Sequence, residues 1–228
     1  MKGTLTEKLK EDYFRMLIMG ETGSGKSYFL KKKILPSIKS KYDSVVIFTR
    51  DYNKLLYEKY IEDELNMKGV VLTFDKKFLI TAIDKIKQMQ SVNIKEYDKE
   101  KHPIYNNSII LVFDDILDEK IMRQDDFLEL FINMRHMQFS IILLSQITNK
   151  AITTQMKANT QFNVMFNLGG YYQQQYPVQL ITEAVLKKHP EMKHDNAKNE
   201  AHKIYQAKCV EKKYGYIIID NEMNKYIP

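Results

Sequence analysis

A glycine-rich motif near the start of the chain constrains the fold more than any other feature. Residues Gly20 to Ser27 read GETGSGKS, which matches GxxxxGK[ST]. They follow an apolar segment, Phe14 to Met19, and precede Tyr28 to Leu35, which is predicted to be a helix that ends at Pro36. The glycines allow the backbone to wrap around phosphates, and the N-terminus of the next helix attracts the same anion. The pattern predicts a phosphate-binding loop at the tip of a buried parallel strand.

This loop is expected to bind ATP together with Mg²⁺. Lys26 is predicted to reach the β and γ phosphates, and Ser27 is predicted to give its hydroxyl to the metal. Three of the eight glycines of the chain lie inside this motif, in a span of six residues, which argues against a chance match. The predicted nucleotide-binding residues are Gly20, Glu21, Thr22, Gly23, Ser24, Gly25, Lys26 and Ser27.

The order of apolar segments predicts an α/β fold, a P-loop NTPase with a mostly parallel central sheet and helices on both faces. Short apolar runs alternate with longer amphipathic stretches, as expected where crossover helices connect buried parallel strands. No repeat or linker divides the 228 residues, so residues 1–228 are predicted to form a single domain with its core at about 14–220. The candidate strands are Phe14 to Met19, Ser44 to Thr49, Val70 to Phe74, Ser108 to Asp114, Phe139 to Ser145 and Phe162 to Leu168.

The connecting segments give weaker signals. Phe127, Leu130, Phe131 and Met134 follow the spacing of a helix that buries one face. Residues 171–208 are predicted to be helical in pieces that break near Pro177 and Pro190. Residues 207–210 and 214–220 are predicted to close the fold as a hairpin, and residues 91–107 are predicted to form a long exposed excursion.

Two acids after the fourth candidate strand have the form of a Walker B segment. The apolar run Ile109 to Phe113 is followed directly by Asp114 and Asp115. Asp114, at the end of a strand beside the phosphate-binding loop, is predicted to hold Mg²⁺ together with Ser27. Asp115 is predicted to orient or deprotonate the attacking water. Paired acids after a strand also occur as simple turns, so the assignment depends on the nearby loop.

Gln146 and Arg135 flank the fifth candidate strand. If this strand neighbours the Walker B strand, the Gln146 amide points towards the γ phosphate, where it can position water. The alternative is a polar residue that only closes a strand. Arg135 lies at the end of the preceding helix, where a cation also stabilises the helix C-terminus.

Composition adds limits of a general kind. The formal net charge of +6 and the pI of about 9.0 favour a polyanionic partner only mildly. No apolar run approaches the roughly 18 residues that a membrane span needs, and the N-terminal residues lack the apolar core of a signal peptide. One cysteine, Cys209, excludes an internal disulfide. These features predict a protein that works inside a cell and is neither secreted nor inserted into a membrane.

The ordered set GETGSGKS, IILVFDD and NMRHMQFSIILLSQ resembles the FtsK/HerA superfamily, and within it the viral genome-packaging ATPases of poxviruses, large DNA viruses and virophages. The resemblance covers about Phe14 to Asp220, including a closing YGYIIID segment. It implies a homo-oligomeric ring that hydrolyses ATP to push double-stranded DNA into a capsid, with Arg135 as a finger that reaches the neighbouring subunit's nucleotide. It also implies a capsid or portal-vertex partner, and a location in the host cytoplasm at the site of assembly or in the virion.

Two other functions remain open at this point. A P-loop nucleoside or nucleotide kinase would be similarly small, but such enzymes clamp phosphates with several arginines, and this chain has none between Arg50 and Arg123. A nucleotide-gated interaction module would bind ATP without turnover, which leaves Asp115 and Gln146 unexplained. A GTPase is disfavoured because Asn149 and Lys150 are not followed by the acid that reads guanine.

Overall fold

A single sheet organises the part of the chain that the computed structural model describes, which comprises residues 5–11, 13–73, 81–88, 108–115, 125–134, 138–146, 152–221 and 225–227. The strands in these ranges are β1 (Arg15–Met19), β2 (Ser44–Thr49), β3 (Lys68–Thr73), β4 (Ile109–Asp114), β5 (Phe139–Ser145), β6 (Phe162–Met165), β7 (Ile217–Asp220) and β8 (Lys225–Ile227). Their spatial order is β3-β2-β4-β5-β1-β6-β7-β8. The strands from β3 to β6 in this order pair in parallel, whereas β7 and β8 join antiparallel.

The predicted fold class is confirmed, and all six candidate strands are present. Four of them differ at an end. β1 begins at Arg15 instead of Phe14, and β4 begins at Ile109 instead of Ser108. β3 begins at Lys68 instead of Val70, and β6 ends at Met165 instead of Leu168. The single-domain assignment stays a prediction.

Helices cover both faces of the sheet because alternate strand residues point to opposite sides. Met16 and Ile18 pack in one hydrophobic cluster, and Leu17 and Met19 pack in the other. None of the described helices is long and apolar enough to cross a membrane. The helices are α1 (Leu5–Glu11), α2 (Lys26–Phe29), α3 (Leu35–Ile38), α4 (Asp51–Lys59), α5 (residues 81–88), α6 (Asp125–Asn133), α7 (Thr154–Asn159), α8 (Tyr171–Lys188) and α9 (His194–Tyr205).

The helix after the phosphate-binding loop does not end at Pro36 as predicted. A π-helical turn, Leu30–Ile34, joins α2 to α3, so the helix continues through the proline to Ile38. In a π turn the residue at position 36 would donate its N–H to the carbonyl of Lys31, and proline has no such N–H. The hydroxyl of Tyr60 donates to the Lys31 carbonyl instead, at 2.6 Å. This substitute hydrogen bond satisfies the carbonyl that the proline leaves without its helical donor.

The C-terminal third corrects two further expectations. Pro177 lies inside α8 and does not break it, and the helix ends only before Pro190. Residues Gln206–Val210 are a π-helical turn that continues α9, so they do not form one arm of a hairpin. The strand β7 pairs instead with β6 and β8. The excursion predicted at residues 91–107 lies outside the described residues.

Candidate functional site

The strand order brings three separate sequence segments to one edge of the sheet. β5 lies between β1 and β4, with Met19 level with Ser145 and Leu144 level with Asp114. Because parallel strands end at the same edge, the phosphate-binding loop, the paired acids and Gln146 all follow neighbouring strand ends. The condition on which the interpretation of Gln146 depended is therefore met.

The loop has the backbone that its glycines predict. Gly23 and Gly25 adopt positive φ angles of 75° and 104°, and the helix begins directly at Lys26. Gly20 is required for a different reason, which is close packing. A Cβ at Gly20 would lie 2.5 Å from the Ser24 hydroxyl oxygen and 2.7 Å from the Phe166 Cβ. The loop is thus held against the residue that follows β6.

Lys26 is buried within the loop. Its Nζ donates hydrogen bonds to the carbonyls of Gly20 and Glu21, both at 2.8 Å. Burial lowers the pKa of the Lys26 ammonium, although the nearby carboxylates of Asp114 and Asp115 oppose this effect. The loop therefore places one positive charge in the concavity that its backbone forms.

Ser27 and Asp114 form a pair of hard oxygen donors. The Ser27 hydroxyl donates to Asp114 Oδ2 at 3.2 Å, and the buried Tyr57 hydroxyl donates to the same oxygen at 2.7 Å. Burial raises the pKa of the Asp114 carboxyl, while the hydrogen bonds from Tyr57 and Ser27 lower it. A hydroxyl and a carboxylate fit Mg²⁺, which prefers oxygen ligands and keeps several of its waters. These two residues are therefore suited to hold the metal of a metal–nucleotide complex.

Asp115 adopts the left-handed conformation, with a φ of 57°, and so turns away from the buried end of β4. The Gln146 Nε2 donates to Asp115 Oδ1 at 2.7 Å, and the Thr22 hydroxyl donates to Gln146 Oε1 at 2.9 Å. One amide thus connects the phosphate-binding loop to the second acid. This arrangement brings together residues from three strand ends.

Three further residues reach the same acids and were not in the predicted set. The hydroxyl of Tyr52 donates to Asp115 Oδ2 at 3.1 Å, and the Arg50 Nε donates to the Asp115 carbonyl at 3.0 Å. Tyr57 contacts Asp114 as described above. All three follow β2, which pairs with β4 in parallel. The two tyrosines can be assigned to the site only when this strand order is known. Arg50 gave a signal in the sequence, because it lies directly after a strand.

Arg135 lies outside the described residues, as does Arg123. The role of Arg135 therefore stays a prediction. The other predicted residues all lie at one edge of the sheet.

Chemically, the site combines an anion-binding loop, an oxygen pair for a divalent cation and a carboxylate that can act on a water molecule. These are the parts that phosphoryl transfer to water requires. The family known as Poxvirus A32 protein matches residues 2–223 of the chain. The chain belongs to this family. The expected relation to poxvirus-type packaging proteins is thereby confirmed.

Relatives of this poxvirus family include two proteins that share 30% identity with the chain. The DNA packaging protein OPG160 of Variola virus aligns over 169 residues, which are 73% of this chain and 58% of the relative. The protein of the same name from Vaccinia virus (strain Copenhagen) aligns over 164 residues, which are 71% and 56%. The chain therefore spans less than two thirds of the length of these curated relatives.

Solved structures support the fold independently. The genome packaging NTPase B204 of Sulfolobus turreted icosahedral virus 2, in complex with AMP, has a TM-score of 0.61 at 17% identity, covering 95% of this chain and 96% of that one. ATPases 2 and 3 of EssC from Geobacillus thermodenitrificans give a TM-score of 0.52 at 15% identity, covering 71% and 33%. At these identities the likeness shows the fold alone.

Proposed function

We propose that the chain is a Mg²⁺-dependent ATPase. The observation that carries this proposal is the Ser27 hydroxyl at 3.2 Å from the Asp114 carboxylate, beside a buried lysine and next to a second carboxylate. A module that binds ATP without turnover needs the Ser27 hydroxyl, the Asp114 carboxylate and the buried lysine. It does not need a second carboxylate, Asp115, that is held by Gln146. Structures of B204 with AMP and with ATP-gammaS support a nucleotide as the ligand of this fold.

In this proposal each residue has one task. The backbone of Gly20 to Ser27 and the Lys26 ammonium bind the phosphates. Ser27 and Asp114 would hold Mg²⁺, which would supply charge neutralisation to the phosphates when bound. Asp115 accepts a proton from the attacking water or orients it, and the Gln146 amide keeps the Asp115 carboxylate in place.

We further propose that hydrolysis moves double-stranded DNA, and that the DNA is a viral genome entering a capsid. The relatives named as DNA packaging proteins support this, as does the DNA-packaging ATPase B204. A positive formal charge of +6 suits a partner with a phosphate backbone. A ring of identical subunits, a capsid or portal-vertex partner, and action in the host cytoplasm or virion complete the proposal. Arg135, as a finger acting on the neighbouring subunit, belongs to it as well.

One assay separates this function from its alternatives. ATP turnover is measured with and without long duplex DNA, at low and moderate salt, while light scattering reports the assembled mass. A motor is expected to hydrolyse ATP faster when DNA is present, and this stimulation should weaken as salt releases the protein from the phosphates.

Other outcomes would contradict the motor. A kinase would consume ATP only when a nucleoside or nucleotide acceptor is added. A nucleotide-gated module would bind ATP with almost no turnover. Assembled protein whose turnover is unaffected by DNA at low salt would argue for an ATPase with another substrate.

A further inference from the structure

A cavity of about 700 Å³ opens beside the phosphate-binding loop. Part of its lining is formed by loop residues that include Gly23, Gly25 and Lys26. The remaining wall is formed by Tyr28, Phe29, Lys33, Phe166, Tyr214 and Tyr216. We call this space the aromatic cavity. Its volume is within the range of small-molecule sites, so it can hold more than the phosphates.

Three rings form a fixed wall of the aromatic cavity. The ring centroids of Phe29 and Tyr216 are 4.7 Å apart, those of Phe166 and Tyr216 are 5.4 Å apart, and those of Phe29 and Phe166 are 5.8 Å apart. Phe29 and Phe166 are buried, whereas Tyr216 is 38% exposed. The three rings are therefore packed against one another and give the cavity an apolar wall.

Tyr214 lies beside Gly25, where the loop passes into α2, as Phe166 also does. Its backbone has a positive φ of 62°, and its Cδ1 lies 3.4 Å from the position that a Cβ on Gly25 would occupy. The turn that places it depends on Gly215, where a Cβ would lie 2.0 Å from the Lys208 carbonyl oxygen. The side chain of Tyr214 is nevertheless 58% exposed. An aromatic ring is thus held over the phosphate-binding loop by a turn that only glycine permits, yet its surface remains open.

We propose that the aromatic cavity binds the purine base of the nucleotide whose phosphates the loop holds, with Tyr214 as the stacking surface. The inference rests on the proposed nucleotide binding and adds the part of the ligand that the motifs do not address. A nucleotide has one charged end and one flat aromatic end. The lining of the site contains both kinds of group, the Lys26 ammonium and five aromatic residues. Bases of any sequence stack on aromatic side chains, because every base has a π face.

The lining also sets the expected selectivity. Among the described residues that line the aromatic cavity there is no carboxylate and no side-chain amide. Carboxylates and amides distinguish cytosine and adenine by hydrogen bonds, and the lining cation Lys33 is the side chain that could donate to the acceptors of guanine. Recognition by stacking favours the larger purine rings over pyrimidines and distinguishes adenine from guanine only weakly.

The test compares a nucleotide with its charged part alone. Binding of ATP-gammaS and of inorganic tripolyphosphate, each with Mg²⁺, is measured by calorimetry on the full chain and on Tyr214→Ala and Tyr214→Phe. Tyr214→Ala is expected to weaken ATP-gammaS binding by about tenfold or more, since a base–aromatic stack is lost. Tripolyphosphate binding should be unchanged, and Tyr214→Phe should bind both ligands as the unchanged chain does.

A matched control is Tyr172→Ala, because Tyr172 is 74% exposed and does not line the aromatic cavity. It should bind both ligands normally. Equal losses of ATP-gammaS and tripolyphosphate in Tyr214→Ala would show that Tyr214 supports the loop instead of the base, which overturns the inference. Unchanged ATP-gammaS binding in that variant overturns it as well, and leaves the proposed ATPase intact. If the unchanged chain binds neither ligand, the proposed function itself fails.

Selectivity gives an independent check on the unchanged chain. GTP should compete with ATP-gammaS about as well as ATP does, and CTP and UTP should compete less well. A strong preference for adenine over guanine would contradict recognition by stacking alone.

Discussion

The two adjacent acids of the site lie in different surroundings, and this divides the site into two halves. The inner half consists of Lys26, Ser27, Tyr57 and Asp114. The outer half consists of Thr22, Arg50, Tyr52, Asp115 and Gln146. Asp114 is 3% exposed, and its partner Tyr57 is 2% exposed, whereas Tyr52, the corresponding tyrosine of the outer half, is 69% exposed.

This difference in burial suggests how binding and turnover can depend on different residues of one site. A buried hydrogen bond is costly to break, because the groups that lose it cannot turn to water. Exposed polar contacts compete with water and break readily. In the proposed ATPase the inner half is therefore preformed for phosphate and metal, while the outer half can rearrange when a ligand arrives. Substitutions in the two halves should have different consequences, and the following three predictions test this.

The largest effect is expected from the inner half. Lys26→Ala removes the charge that we propose contacts the phosphates, so ATP hydrolysis should fall by about 10²–10³-fold or more. The fold should persist, which circular dichroism and thermal denaturation would verify. Lys203→Ala, at an exposed lysine of α9, is the matched control and should hydrolyse ATP normally. A folded Lys26→Ala variant with near-normal turnover would remove the basis of the phosphate-binding assignment.

A smaller and more selective effect is expected from the outer half. Asp115→Asn keeps the size of the side chain but removes the carboxylate, so the chemical step should slow by about 10²-fold or more. Binding of ATP-gammaS with Mg²⁺ should stay within a few-fold of normal. Single-turnover kinetics and calorimetry separate the two quantities.

The control for this substitution is Asp125→Asn at the exposed start of α6. It should leave both quantities unchanged. If Asp115→Asn lost nucleotide binding instead of turnover, the roles of the two acids would be exchanged and the division into halves would be wrong.

The smallest effect compares the two tyrosines directly. Tyr57→Phe removes a 2.7 Å hydrogen bond to buried Asp114, and the free energy of unfolding should fall by about 1–3 kcal/mol. Tyr52→Phe removes a 3.1 Å bond to Asp115 at an exposed position, and the change should stay within about 0.5 kcal/mol. Urea denaturation of each variant measures both. Equal losses would mean that the two halves do not differ in the way that their burial indicates.

Local patterns predicted the fold class, the loop and the two acids, because each depends on residues that are neighbours in sequence. The loop needs glycines at Gly23 and Gly25 next to a strand, and Asp114 needs only to follow an apolar run. What could not be predicted depends on strand order. Tyr52 and Tyr57 reach the acids because β2 pairs with β4, and no local signal in α4 specifies this.

Proline signals were misleading for a related reason. A proline ends a helix when nothing else can satisfy the freed carbonyl. Near Pro36 the missing donor is replaced by Tyr60, which lies on a separate segment of the chain. Tertiary contacts of this kind override local preference, and they are visible only in the folded structure.

The hydrogen bond from Tyr60 to the Lys31 carbonyl also makes the residues at positions 36 and 60 depend on each other in evolution. With proline at position 36, loss of the tyrosine hydroxyl leaves a carbonyl in the loop helix without its donor. A residue with an N–H at position 36 can supply that donor from within the helix. In evolution, replacement of Pro36 would therefore release Tyr60 from selection for its hydroxyl, whereas the reverse order of changes would pass through a destabilised intermediate. Lineages of the poxvirus family should thus lose the proline before, or together with, the tyrosine.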